Sequence, residues 1–271
     1  MIETITLFPK LNDLLISLLR SLTPDEWDKP TIAKKWKVKD VAAHLLDGNC
    51  RMISIYRDHH LLKPELPIDS YESLVAYLNS INHDWVVATR RLSPGLITDM
   101  LEITGKEYER IITQLDPDDN ALFAVAWAGH TTSKNWFHIA REFTEKWHHQ
   151  QQIRDAVNRP GLMTMEFLHP LMATFLEGLP HTFKNADATL HTAITILIDD
   201  IGTWQLIKME HGWEVSYGTG LPSAAEIAIA ADTAWKLFTK GITPEAAEKD
   251  VRMFGNMELA KKVLKLVAVM A

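Results

Sequence analysis

Leu7, Leu11, Leu14, Leu15, Leu18, Leu19 and Leu22 recur at i, i+3 and i+4 spacing, which predicts an amphipathic helix at the start of the chain. It stops before Thr23-Pro24-Asp25, where Thr23 caps a short turn with Pro24 at its first position. The same periodicity predicts helices from Val38 to about His59, from a cap at Asp69 or Ser70 to Leu92, and from Ser93-Pro94 to near Leu115. After the turn-rich Asp116-Pro117-Asp118-Asp119-Asn120 and an irregular Trp127-Ala128-Gly129-His130, Thr132 or Ser133 caps a long helix to about Val157. Asn158-Arg159-Pro160-Gly161 closes it. Long amphipathic helices with short connections predict an up-and-down bundle over residues 1–160.

The period then changes. Leu162 to about Phe183 reads as a helix interrupted at Pro170, but Thr189–Asp199 alternates with β-branched residues, the mark of a half-buried strand. Trp204–Met209 and Trp213–Tyr217 around His211-Gly212 predict a hairpin. Ala224–Phe238 reads as helix, Val251–Phe254 as a short strand and Met257–Met270 as a closing helix. Residues 161–271 are therefore expected to form a connecting helix and a small α+β domain, making the whole chain α+β.

Composition narrows the chemistry. Of 271 residues, one is cysteine (Cys50), which excludes an internal disulfide, a cysteine-rich zinc module and an iron–sulfur cluster. A metal would have to be held by Asp, Glu and the twelve histidines. A net charge of −7 argues against nucleic acid as the main partner. Met1-Ile2-Glu3 does not open a secretory signal, and no apolar run approaches the ~20 residues of a membrane span. A cytoplasmic protein with no membrane partner is expected.

The informative segment is Trp136 to Ala156. Glu145 and His149 stand four apart and project from one face of the long helix, so they can share one cation. His138 and Glu142 extend the same stripe, which in a bundle helix is ordinarily apolar. A Glu–His pair at this spacing is also common as a solvated surface contact. His44 adds weight: it lies on the inner side of an apolar helix, with Gly48 leaving space beside it. A histidine from one helix and a Glu-x-x-x-His pair from another supply three ligands and leave a position open. A rival registration uses Glu145-x-x-His148 and Glu166-x-x-His169, the pattern of di-iron bundles, but no inward-facing Glu stands out in the first two helices.

Three segments carry a resemblance. They are Leu22-Thr23-Pro24-Asp25-Glu26-Trp27 with Trp36 to Leu45, then Glu145-Lys146-Trp147-His148-His149-Gln150-Gln151-Gln152-Ile153-Arg154, and Gly255-Asn256-Met257-Glu258-Leu259-Ala260. In this order they resemble the mycothiol-dependent maleylpyruvate isomerase family of the DinB-like metal-binding superfamily, in which a sterol-carrier-protein-like domain follows the bundle. The resemblance implies that His44, Glu145 and His149 are the metal ligands, usually for zinc, with nickel and iron as alternatives, and that His148 faces away or supports them from outside. Gln152 stands where the family motif has an acidic residue.

What the resemblance implies is an isomerase or thiol S-transferase. A small-molecule thiol attacks an electrophilic carbon, and in the isomerase version it adds to a cis double bond, allows rotation and is eliminated. A dicarboxylate substrate needs cationic partners, for which Arg154 and Arg252 are candidates; Asn82 and Trp127 are candidates to line the pocket. Cys50 has no activating neighbour, so the sulfur is expected to arrive with the cosubstrate. A non-catalytic ligand binder with a structural metal and a di-iron redox protein are the competing expectations. Oligomeric state is left open.

Overall fold

The computed structural model describes residues 1–270. Five long helices make the first half: α1 (Phe8–Arg20), α3 (Val38–Met52), α4 (Tyr71–Thr89), α5 (Pro94–Ile112) and α6 (Asn135–Val157), with a single turn, α2 (Pro24–Trp27), after α1. Their starts follow local chemistry. Thr23 and Glu26 form a reciprocal capping box, Ser70 accepts from the Ser73 amide at 3.0 Å, and Ser93 from that of Leu96 at 3.2 Å. The expected cap of α6 is corrected: Ser133 Oγ accepts from the Val125 amide at 2.9 Å, and Lys134 holds the cap position. The α3 helix also ends earlier than its periodicity suggests and loosens into one π turn over Ile53–Arg57.

Two pairings set the geometry of the site. Trp85 Nε1 donates to the Ala43 carbonyl at 2.8 Å and Lys39 Nζ to that of Arg90 at 3.1 Å, so α4 runs antiparallel to α3. Lys146 Nζ donates to Asn49 Oδ1 at 2.5 Å, and Tyr56 Oη lies 3.2 Å from His138 Nε2, so α6 is antiparallel to α3 as well. Fully buried Val38, Val41, Leu46, Ile97 and Ile153 pack beneath this face, where burial of a large aliphatic side chain contributes about 1.5–3 kcal/mol.

In the second half, α7 (Met165–Leu176) runs unbroken through Pro170, correcting the expected interruption. Pro170 removes one amide from the ladder, while buried Leu171, Met172 and Phe175 hold the helix to the core. After the turn α8 (Leu179–Thr182) come β1 (Ala193–Ile198), β2 (Gly202–Met209), β3 (Gly212–Tyr217), β4 (Ser223–Ile229), α9 (Ala231–Phe238), α10 (Pro244–Glu248), β5 (Val251–Gly255) and α11 (Met257–Val263). The sheet order is β3-β2-β1-β4-β5, with β1 and β4 parallel.

Strand β4 corrects the helix expected from Ala224. Its alanines favour helix, but Ala225, Ile227 and Ile229 alternate inward and pair with Ile194, Ile196 and Ile198 of β1, and that burial overrides propensity. The closing helix stops at Val263, short of Met270; beyond it the Ala268 amide donates to the Phe238 carbonyl at 2.9 Å.

The expected boundary at residue 160 falls in the link where Asn158 takes a left-handed conformation and ends α6. The apolar core nevertheless continues across it. Trp147 of α6 meets Trp235 of α9 edge-on, ring centres 5.9 Å apart, and Phe143 stacks with Phe167 of α7 at 6.5 Å. Among the described residues no helix is long and apolar enough to cross a membrane.

Candidate metal centre

One stripe of α6 is polar yet turned inward, running from buried His138 through half-buried Arg141, Glu142 and Glu145 to buried His148 and His149. Positions three and four apart share a helix face, so this stripe lies along the groove facing α3. At its C-terminal end, Glu145, His148 and His149 each offer a ligand atom, all within 4.8 Å of one another. His149 Nε2 lies 3.6 Å from Glu145 Oε2. From α3, the His44 ring meets the His149 ring edge-on with centres 4.6 Å apart, and the Trp36 indole covers it at 4.8 Å.

The ring protons are placed by the surroundings. Nδ1 of His149 lies 3.0 Å from Gln152 Oε1, and Nδ1 of His148 lies 2.8 Å from the Thr144 carbonyl oxygen. Both oxygens accept, so each Nδ1 carries its hydrogen and each Nε2 keeps a lone pair. The amide oxygen of Gln152 thus does for His149 what a carboxylate at that position would do. Nδ1 of His44 is buried without a partner. A Cβ added at Gly48 would meet nothing within 4 Å, so open space lies one turn past His44.

Burial pushes the His44 imidazole well below its usual pKa, and nearby His149 and Arg51 push it the same way. Burial and then the charge of His149 bring His148 down to about 4. Burial alone would raise the Glu145 carboxyl; the neighbouring imidazoles of His149 and His148, with Arg141, outweigh it and hold the group at about 2. The result is an ionised Glu145 carboxylate beside His44 and His148 rings that burial keeps neutral, the protonation that cation ligands require. The side chain of Glu145 is 29% exposed, so the cluster opens to solvent. A nitrogen-and-oxygen donor set with an orphaned Nδ1 fits a divalent cation such as zinc.

The N-terminal end of the stripe is different. Arg141 Nη2 donates to His138 Nδ1 at 2.5 Å and to Glu142 Oε1 at 2.9 Å; His138 Nε2 donates to Tyr56 Oη; Tyr108 Oη donates to Glu142 Oε2 at 2.7 Å. Arg141 Nε is buried without an acceptor, one turn before Glu145. Arg141, three residues after His138 and four before Glu145, shares the stripe, although spacing alone singled out only the histidines and glutamates.

Other expected residues fall elsewhere. Arg154 is corrected as a substrate clamp: it is buried, with Nη1 bonded to the Pro160 carbonyl at 2.8 Å and Nη2 to that of Leu14 at 3.0 Å. Its place five residues past His149 turns it to another side of α6, where it ties α1 to the end of the helix. Trp127 is corrected too. It packs edge-on against Phe137 at 5.7 Å and closely over Gly178, inside the core that joins the halves. Asn82 lies on the buried side of α4, one turn before Trp85, with Oδ1 lacking a partner. Arg252 of β5 is mostly exposed and paired with Asp199 at 3.0 Å. Glu166 pairs with Lys10 on the surface, and His169 packs on Trp204 and Tyr217. The two Glu-x-x-His motifs therefore do not meet, and the di-iron registration fails. Burial pushes the Cys50 thiol up.

Antiparallel helices of a bundle thus bring histidines and a glutamate to one point, in a chain whose second half forms a mixed five-stranded sheet, and that cluster could hold a cation. The chain belongs to the mycothiol maleylpyruvate isomerase N-terminal domain family, whose model matches residues 8–154. Two crystal structures of the mycothiol-dependent maleylpyruvate isomerase share its fold. A histidine-to-alanine variant aligns with a TM-score of 0.54 and 9% identity, over 92% of this chain and 90% of that one. The other aligns with a TM-score of 0.50 and 10% identity, over 86% of both. A sterol carrier protein domain from Helicoverpa armigera aligns with 38% of this chain and 80% of its own, at 20% identity and a TM-score of 0.25. No curated protein matches the sequence.

Proposed function

We propose that this chain is a cytoplasmic, metal-dependent enzyme that uses a low-molecular-weight thiol on a small electrophilic carboxylate, as a maleylpyruvate isomerase-like isomerase or a thiol S-transferase. The observation that carries this reading is the convergence of His44, Glu145 and His149, with His149 Nε2 3.6 Å from Glu145 Oε2 and the Nδ1 of His44 buried without a partner. These three residues hold the cation. When bound, it lowers the pKa of a coordinated thiol so that the thiolate predominates near neutral pH.

The chain's own groups do the rest. Gln152 fixes the tautomer of His149, and Trp36 shields the imidazoles from water. The unpartnered Oδ1 of Asn82 accepts a hydrogen bond from the thiol cosubstrate. Arg141, with its Nε unpaired, draws the substrate carboxylate to the stripe, and the exposed guanidinium of Arg252 is the cation that the second half offers. Family membership favours mycothiol as the thiol and a maleylpyruvate-type electrophile.

The test is an isomerisation assay on full-length protein with maleylpyruvate and a set of thiols, before and after chelation. Turnover that needs both a thiol and a divalent metal supports the reading. Metal binding without any thiol dependence contradicts it and favours the ligand-binding alternative.

A further inference from the structure

We propose that His148 is a fourth protein donor to the metal, beside His44, Glu145 and His149. This inference rests on the metal-site reading above. The Glu-x-Trp-x-His motif fixes no residue at this position, so the donor is a feature of this chain.

The case begins with the helix. Residues at i, i+3 and i+4 flank one face, so Glu145, His148 and His149 reach the same volume. Their ligand atoms lie within 4.8 Å, close to twice a metal–ligand bond of ~2.0–2.2 Å, and a small side-chain rotation brings all three to one ion. The proton on His148 is then fixed by its partner. The Thr144 carbonyl oxygen only accepts, so Nδ1 carries the hydrogen and Nε2 presents a lone pair. Among the described residues no hydrogen-bond donor reaches this Nε2.

The neighbours make that lone pair worse placed. His149 also presents a bare Nε2, fixed by Gln152, and its ring centre lies 4.0 Å from that of His148. Glu145 adds a carboxylate. His148 is only 4% exposed, and a ligand atom of its ring lies within 4.8 Å of one from His149 and one from Glu145. A single cation satisfies all of them.

The test uses full-length protein stripped of metal and loaded with Co2+ alone. Each histidine bound to Co2+ gives one strongly downfield-shifted, exchangeable ring N–H signal in the proton NMR spectrum. Three such signals are expected in the wild type, from His44, His148 and His149, and one is expected to disappear in His148→Gln. Two signals in the wild type, both retained in His148→Gln, would overturn the inference while leaving the three-residue site intact. An absence of Co2+ binding would sink both. If the variant does not fold, the wild-type count decides, with His148→Ala as the second variant.

Discussion

The two ends of the polar stripe on α6 are built from similar residues and behave in opposite ways. At the N-terminal end, His138, Arg141, Glu142, Tyr56 and Tyr108 form a nearly closed circuit in which almost every buried donor meets an acceptor. At the C-terminal end, two turns on, His44, Glu145, His148 and His149 gather with the Nδ1 hydrogens of His149 and His148 directed to Gln152 and Thr144 and the Nδ1 of His44 left without a partner. Burial and residue type are shared, so neither distinguishes a structural network from a functional site. Counting hydrogens does. The first end is satisfied within the protein but for Arg141 Nε, whereas the second is, on the proposal above, completed by a cation.

The largest separation of the two ends is expected from Gln152→Ala. Losing the acceptor that orients His149 should weaken zinc binding about 10–100-fold, read by competition with a chromophoric chelator, with little change in the metal-free protein's stability. Tyr108→Phe should do the reverse. It removes a hydrogen bond to a buried carboxylate, worth about 1.5–3 kcal/mol in urea unfolding, and leaves zinc affinity unchanged. A smaller effect comes from pH. Burial, then the charge of Arg141, lowers His138 from 6.5 to about 4, so the unfolded chain binds the extra proton between those values. Stability is therefore full above pH 6.5 and falls as pH drops toward 4, by up to about 1.4 kcal/mol per unit from this group. His138→Phe should flatten the slope in metal-free protein by that amount.

Much of this was legible in the sequence, and the failures share a cause. The helices announced themselves through leucine spacing and caps such as Thr23, Ser70 and Ser93. His44, Glu145 and His149 could be paired because helical spacing and an out-of-place polar stripe are local signals. Strand β4 was hidden, since Ala-rich Ser223–Ile229 becomes a strand only by pairing with β1. Arg154 looked available because it follows the site closely, yet its direction leads to the carbonyls of Leu14 and Pro160. Trp127 looked like a pocket wall, but Gly178 and Phe137 enclose it. Arg141 was missed because sequence does not show which guanidinium nitrogens lack partners. Each failure depends on a contact distant in the chain.

The most direct test is a zinc titration of full-length, metal-free protein, followed by calorimetry and compared with Glu145→Gln and His149→Ala. The account predicts one tight equivalent per wild-type chain, a rise in Tm on binding, and loss of both in either variant. Zinc binding of equal strength and stoichiometry in all three proteins would contradict it.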